Sequence, residues 1–342
     1  MRTVVIDSPG QIRVDTRQDP SLPGPDGAII AVTTTAICGS DLHFYEGDYP
    51  LFEPVPLGHE AVGTVVEIGA DVRTVNVGDL VLVSSVAGCG TCIGCATQDP
   101  IQCLSGPKIF GSGALAGAQS DLLAVPAADF QLLRVPEGID TEEALLLTDN
   151  LATGWAGAQR ADIPPGGTVV VFGLGAVGLC ALRSAIAQGA GTVFAVDPVE
   201  GRRQRAVAAG ATPLDPSTLD EALAEATDGR GAASVIDAVG NDVTMTAALT
   251  CVRPGGTVSV VGVHDLNPFP FPALMSLVRS VTLRMTTAPV QQTWPQLIPL
   301  IQAGRLDTRD IFTHSMSLAD AAEAYAAVAA RSADCVKIAL TP

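Results

Sequence analysis

The chain has 342 residues, 47% of them hydrophobic and only 16% charged, with 35 glycines and 24 prolines; this composition excludes disorder as the main state and suits about two domains with real cores. Nineteen Lys and Arg against 36 Asp and Glu leave a net charge of −17, which opposes a general attraction to nucleic acid or to an anionic bilayer. No nucleic-acid partner and no membrane partner are therefore expected, and the start Met1 to Asp7, without the apolar core of a signal peptide, predicts a cytoplasmic protein.

From Val4 to about Glu67, short β-branched runs such as Ala28 to Val32 and Ala61 to Glu67 alternate with Gly, Pro and Asp, the pattern of an all-β or mixed domain. Within it, Cys38-Gly39-Ser40-Asp41-Leu42-His43 and Gly58-His59-Glu60 supply a thiolate, an imidazole and a nearby carboxylate. These are the donor types of a catalytic zinc with one position open for water or a substrate oxygen. Cys89, Cys92, Cys95 and Cys103 follow, four of the eight cysteines within fifteen residues, and with no export signal they point to a metal before disulfides. Gaps of two, two and seven residues let four thiolates converge on one tetrahedral ion, and Gly88, Gly90 and Gly94 let the chain fold tightly around it. A closed four-thiolate set predicts a structural ion.

Near Thr141 the texture changes to Ala-rich helical segments alternating with apolar strands at Thr168 to Phe172, Thr192 to Val196, Ser234 to Ile236 and Thr257 to Val261. This is the rhythm of a parallel α/β sheet. The uncharged run Pro164 to Leu182 is long enough to raise a membrane span, but its opening prolines and recurrent glycines suit a strand, a tight turn and a helix instead. The first strand runs into Gly173-Leu174-Gly175-Ala176-Val177-Gly178 and a helix predicted over Leu179 to Gln188. Glycines in that context let the backbone approach a pyrophosphate at a helix N-terminus. Asp197, nineteen residues past Gly178, ends the next strand, where it can accept from both ribose hydroxyls of an adenosine and repel a 2′-phosphate, so NAD is expected before NADP. Arg202 and Arg203 stand near enough to offset part of that repulsion. Asp237 and Gly240 close a later strand at the same sheet edge. Beyond Pro289, helices are predicted over Pro295 to Ala303 and Leu318 to Ala330, with a closing strand over Val336 to Leu340.

In this order, a Cys/His pair, a four-cysteine segment and a nucleotide fingerprint resemble the zinc-dependent medium-chain alcohol dehydrogenases. The match runs through essentially the whole chain and includes Gly78-Asp79-Leu80-Val81 and Thr148-Asp149-Asn150-Leu151-Ala152-Thr153-Gly154. The resemblance implies an α/β fold, with a GroES-like, mostly-β catalytic domain over residues 1–150 with 289–342 and a doubly wound Rossmann domain over 151–288. A cleft between them would hold substrate and cofactor. It implies two zinc ions per chain, a structural one on the four cysteines and a catalytic one on Cys38, His59 and Asp149, the last an aspartate where some members have cysteine. Glu60 corresponds to a glutamate that can enter the coordination shell, and Asp41 to the carboxylate that orients the histidine.

The activity so implied is oxidation of a primary or secondary alcohol with hydride transfer to NAD. Ser40 would take the alcohol proton and pass it through the cofactor ribose toward His43, while Arg202 and Lys337 would lie along the cofactor. A polyol or amino-alcohol substrate is the alternative, because Cys38 to Tyr45 also resembles the sorbitol and threonine branches, and a non-catalytic cofactor-binding member is another. Ser40, Phe44, Tyr45, Phe52, Trp155 and Leu274 are the pocket candidates. Leu283 to Pro289 lacks the Gly-Ser that many relatives carry, and His264 and His314 match no ligand motif. A homodimer or homotetramer joined through the cofactor-domain sheets is expected.

Overall fold

In the computed structural model, which describes residues 1–342, the N-terminal half is built around the strand Ala28–Ala36. That strand pairs antiparallel with Ala61–Ile68, Leu122–Val125 and the C-terminal strand Ile338–Thr341. Most of its residues are buried, with Ala28, Ile30 and Val32 in one core and Thr33 exposed. Leu80–Val83 and Leu132–Arg134 extend the sheet one way, and His314–Ser317 extends it the other. The chain thus leaves this sheet near residue 134 and returns to it at residue 314.

Between those points six parallel strands form a second sheet. Their order is Thr212–Leu214, Thr192–Val196, Thr168–Phe172, Ala232–Asp237, Val252–Val260 and Thr282–Met285. Runs such as Val169-Val170-Val171-Phe172 are apolar without alternation because helices cover both faces of a parallel sheet. The order reverses on either side of Thr168–Phe172, and in such sheets ligands bind at the carboxyl ends flanking that reversal. Register places Phe172 opposite both Val196 and Asp237, so the glycine turn, Asp197 and Asp237 share one edge.

Several elements differ from the sequence expectation at their ends, the strand expected from Thr257, for example, beginning at Val252 and the helix expected from Leu318 at Ala321. The helix after the glycine turn spans Ala176–Ala187, not Leu179 to Gln188, with Gly175 as its N-cap. Gly178 therefore lies inside the helix, where a Cβ would sit 1.7 Å from the carbonyl oxygen of Gly173, so its glycine serves close helix-to-strand contact. The helix expected from Pro295 begins at Val290 and holds Pro295 and Pro299 inside it. Each interior proline costs about 3 kcal/mol, but Val290, Trp294, Leu297 and Ile301 form one buried stripe, and side chains of that kind contribute about 1.5–3 kcal/mol each. The closing strand is Ile338–Thr341, two residues later than expected at its start, because the Val336 N–H is bound by the Thr313 hydroxyl. No helix is long and apolar enough to cross a membrane.

Candidate active site

Four donor groups from three segments meet at one point: Cys38 Sγ, His59, Glu60 and Asp149, their donor atoms all within 4.8 Å of one another. Cys38 follows the strand Ala28–Ala36 and caps a short turn, Gly39–Asp41. His59 and Glu60 precede the strand Ala61–Ile68, and Gly58 turns the chain into them at φ +91°, a conformation that favours glycine. Asp149 lies at the start of the helix Asn150–Arg160, but its carboxylate does not cap that helix. One oxygen, Oδ2, lies 3.6 Å from Cys38 Sγ and 3.4 Å from His59 Nε2, while Oδ1 accepts from the Ser85 and Thr153 hydroxyls. The carboxylate is turned into the cluster.

Electrostatics here is strongly coupled. Burial alone would lower the His59 pKa, but Asp41, the Cys38 thiol and Asp149 outweigh it and raise it well above the ordinary value. Burial would raise the Asp149 carboxyl, but its bond to His59 brings it below the usual range. Glu60 is pushed up by burial, with Lys337 pulling the other way. Lys337 Nζ sits 2.8 Å from Glu60 Oε1, both side chains fully buried. Asn150 Nδ2 bridges the cluster, donating to Glu60 Oε1, Asp149 Oδ2 and Cys38 Sγ. Glu60 Oε2 and Asn150 Oδ1 are buried without a partner, an arrangement that a cation among a thiolate, an imidazole and carboxylates would relieve. The donor set fits zinc.

Beside it, Ser40 is half-buried in the Gly39–Asp41 turn, and His43 lies in the helix Leu42–Glu46. His43 Nδ1 is 2.8 Å from Asp48 Oδ2, and its ring stacks on Tyr49 with centroids 5.0 Å apart. The Tyr49 hydroxyl donates across to the backbone oxygen of His264. His264, which no motif had marked, thus stands where the two sheets' loops meet, its ring between Asp242 and Asp265.

At the edge of the parallel sheet, both Asp197 carboxylate oxygens accept main-chain bonds, from Leu174 N in the glycine turn and from Val199 N, each at 2.8 Å. Arg202 reaches the carbonyl of Cys335, and Arg203 binds the carbonyls of Asp197 and Pro198 and the Asp215 carboxylate. Asp237 is spent on its own turn, accepting from Val239 N, Gly240 N and the Thr244 hydroxyl. The pocket candidates divide. Phe52 and Leu274 are largely exposed, Tyr45 stacks on the buried Tyr325, and Trp155 is buried with its indole N–H on Gln296, so the latter two are packing residues.

The four-cysteine segment folds as a separate small unit. Cys92 and Cys95 Sγ are 3.6 Å apart, Cys89 and Cys95 Sγ 3.9 Å, and no cysteine of the chain is in a disulfide. Backbone N–H groups point at the sulfurs, Cys89 N at Cys103 and Leu104 N at Cys92. The Thr91 N–H and hydroxyl lower the Cys89 pKa to about 5, whereas burial pushes Cys95 to about 12. A Cβ at Gly94 would meet the Gln102 carbonyl oxygen at 2.2 Å, so only glycine lets the loop close. The cluster fits a structural zinc site.

Sequence reasoning had not singled out Asn150, Ser85, Gln119 or Tyr325, and had assigned Lys337 no link to Glu60. Only Asn150 carried a signal, its place directly after Asp149.

Two family models match the chain: the alcohol dehydrogenase GroES-like domain over residues 24–137 and zinc-binding dehydrogenase over residues 176–303. A Mycobacterium tuberculosis protein named as a probable zinc-binding alcohol dehydrogenase is 68% identical over 342 residues, covering 100% of this chain and 89% of the relative. The solved alcohol dehydrogenase TADH from Thermus sp. ATN1 superposes with a TM-score of 0.92 at 33% identity, covering 100% of this chain and 99% of that one. A protein of Sinorhizobium meliloti 1021 named as a putative zinc-binding dehydrogenase, solved bound to NADP, does so with a TM-score of 0.84 at 26% identity, covering 100% and 99%. With sheet order, donor clusters and relatives in agreement, the chain belongs to the zinc-dependent medium-chain alcohol dehydrogenases.

Proposed function

We propose that this oxidoreductase transfers a hydride between a primary or secondary alcohol and NAD, and carries two zinc ions. The observation that carries the reading is the meeting of Cys38, His59 and Asp149 beside two buried oxygens without partners. Those three residues would hold the catalytic ion, with the unpartnered Oε2 of Glu60 near it and Oε1 held by Lys337 and Asn150, and Cys89, Cys92, Cys95 and Cys103 would hold the other. Bound zinc supplies Lewis acidity at a substrate oxygen, and NAD supplies the hydride acceptor. The chain's own part is positional and protonic. Asp41, 3.3 Å from His59 Nδ1, orients the imidazole. Ser40 Oγ takes the alcohol proton as it gives up its own, and His43, its Nδ1 held by Asp48, takes up the released proton at Nε2 and passes it to solvent.

For the cofactor, the glycine turn and the helix N-terminus at Ala176 suit a pyrophosphate, and Asp197 at the adjoining strand end favours ribose hydroxyls over a 2′-phosphate. Arg202 and Arg203 are turned to carbonyls and to Asp215, which weakens the case for a phosphate there; the Sinorhizobium relative's NADP marks the competing choice. Two copies would associate through the edge strand Thr282–Met285, beside which Leu274, Leu277 and Val278 are each about three-quarters exposed.

Initial rates on zinc-replete protein, with NAD and NADP against short aliphatic, aromatic, polyol and amino-alcohol substrates, test the reaction. A rate with NAD on a simple alcohol above that on polyols is expected. No rate with any pair, from protein holding both ions, would overturn it, and light scattering tests the dimer.

A further inference from the structure

We infer that Gln119 and Tyr325 are positioning residues for the Cys38 and His59 site, acting through Asp41; this rests on the reading of that site as a metal centre. Asp41 touches both donors. Its Oδ1 lies 3.3 Å from His59 Nδ1, and its Oδ2 accepts the Cys38 backbone N–H at 3.0 Å. The same Oδ2 receives the Gln119 amide Nε2 at 3.4 Å, which also donates to the Ala36 carbonyl at 3.0 Å. Gln119 Oε1 accepts the Tyr325 hydroxyl at 2.9 Å. Gln119 and Tyr325 are fully buried, and Asp41 and His59 nearly so, so no water competes for these bonds.

The Gln119 amide is partnered at both ends. Rotated by half a turn, its oxygen would face the Asp41 carboxylate and the Ala36 carbonyl, three acceptors together. A donor on the Oε1 side fixes the other orientation, and Tyr325 supplies it from the helix Ala321–Ala329, 206 residues along the chain. The backbone holds the amide in place as well, since Gln119 N donates to Leu57 O and Val4 N donates to Gln119 O. Gly58, next to His59, leaves the room: a Cβ there would lie 2.4 Å from Gln119 Cγ. The closing helix of the chain therefore sets the orientation of a carboxylate that aims two donors. Groups that orient a metal-binding imidazole typically change affinity by about 10- to 100-fold, and groups one and two hydrogen bonds further out, Gln119 and Tyr325, are expected to act at the low end.

The test is zinc release to a chromogenic chelator from purified holoprotein, with the four-cysteine ion as internal reference. In Tyr325→Phe one of two ions should leave about 10-fold faster while the other is unchanged. Gln119→Met should reproduce this, and adding Tyr325→Phe to it should have little further effect, because the contact runs through the amide. Equal release by Tyr325→Phe and wild type, equal loosening of both ions, or additive effects would each overturn the inference, the last two marking a general packing role. Failure of the underlying reading looks different: wild type would hold one ion, and Cys38→Ser would not lower that number.

Discussion

The two cysteine-bearing clusters are built in opposite ways. The four-cysteine unit takes its donors from fifteen consecutive residues and aims local N–H groups at its sulfurs. The other gathers Cys38 and Asp149, 111 residues apart, and is braced by Lys337, 277 residues from Glu60. The first closes on itself, as a fixed staple should. The second keeps unpartnered oxygens and draws its donors from three separate segments. Position, more than donor type, separates staple from site.

The sharpest way to break that contrast is to remove one thiol from each. Cys38→Ala should lower kcat by about a thousandfold or more and remove one zinc ion, with circular dichroism unchanged. Cys92→Ala should also remove one ion, but lower the melting temperature by about 5 °C or more while kcat at low temperature stays within about tenfold. The small unit leans on the helix Val290–Gln302 through Gln292, bound to the Thr97 carbonyl, and that helix anchors Trp294 on the Leu147 carbonyl, two residues from Asp149. Loss of kcat in Cys92→Ala as complete as in Cys38→Ala would show that this route makes the two centres one.

A smaller effect is expected at the cofactor edge. Asp197→Asn keeps an acceptor for Leu174 N but loses the charge, so the ratio of kcat/KM for NAD over NADP should fall about tenfold. An unchanged ratio would remove Asp197 from cofactor choice.

The same contrast governs what could be read from the chain. Spacing alone was enough for the four cysteines, and the apolar strand, glycine turn and acid were enough for the parallel sheet, because those signals lie within about twenty residues. Asp149 entered only through the resemblance of its segment, since nothing in its spacing ties it to Cys38. Gln119, Tyr325 and the partnership of Lys337 with Glu60 were not legible, because each is a polar side chain in an otherwise apolar stretch whose partner lies elsewhere in the chain. The start of the helix at Val290 was missed for a local reason: Pro295 reads as a helix start, but the buried Trp294 and Leu297 stripe carries the helix through it.

His264 gives the mildest test, and one that reaches the contact between the two halves. The Asp265 carbonyl and the Asp242 carboxylate raise its pKa above the ordinary value of about 6.5, with Asp265's own carboxylate adding to the effect. A histidine whose folded pKa is raised is held more firmly when protonated, so its contribution is complete below about pH 6.5 and disappears as pH rises through the raised value. His264→Gln should therefore melt about 1–2 °C below wild type near pH 6, the small size reflecting exposed aspartates, and the gap should close by pH 9. A gap independent of pH would assign the loss to the ring's contact with Phe269 instead of to charge. In that case the contact between the halves would be held by shape and not by charge.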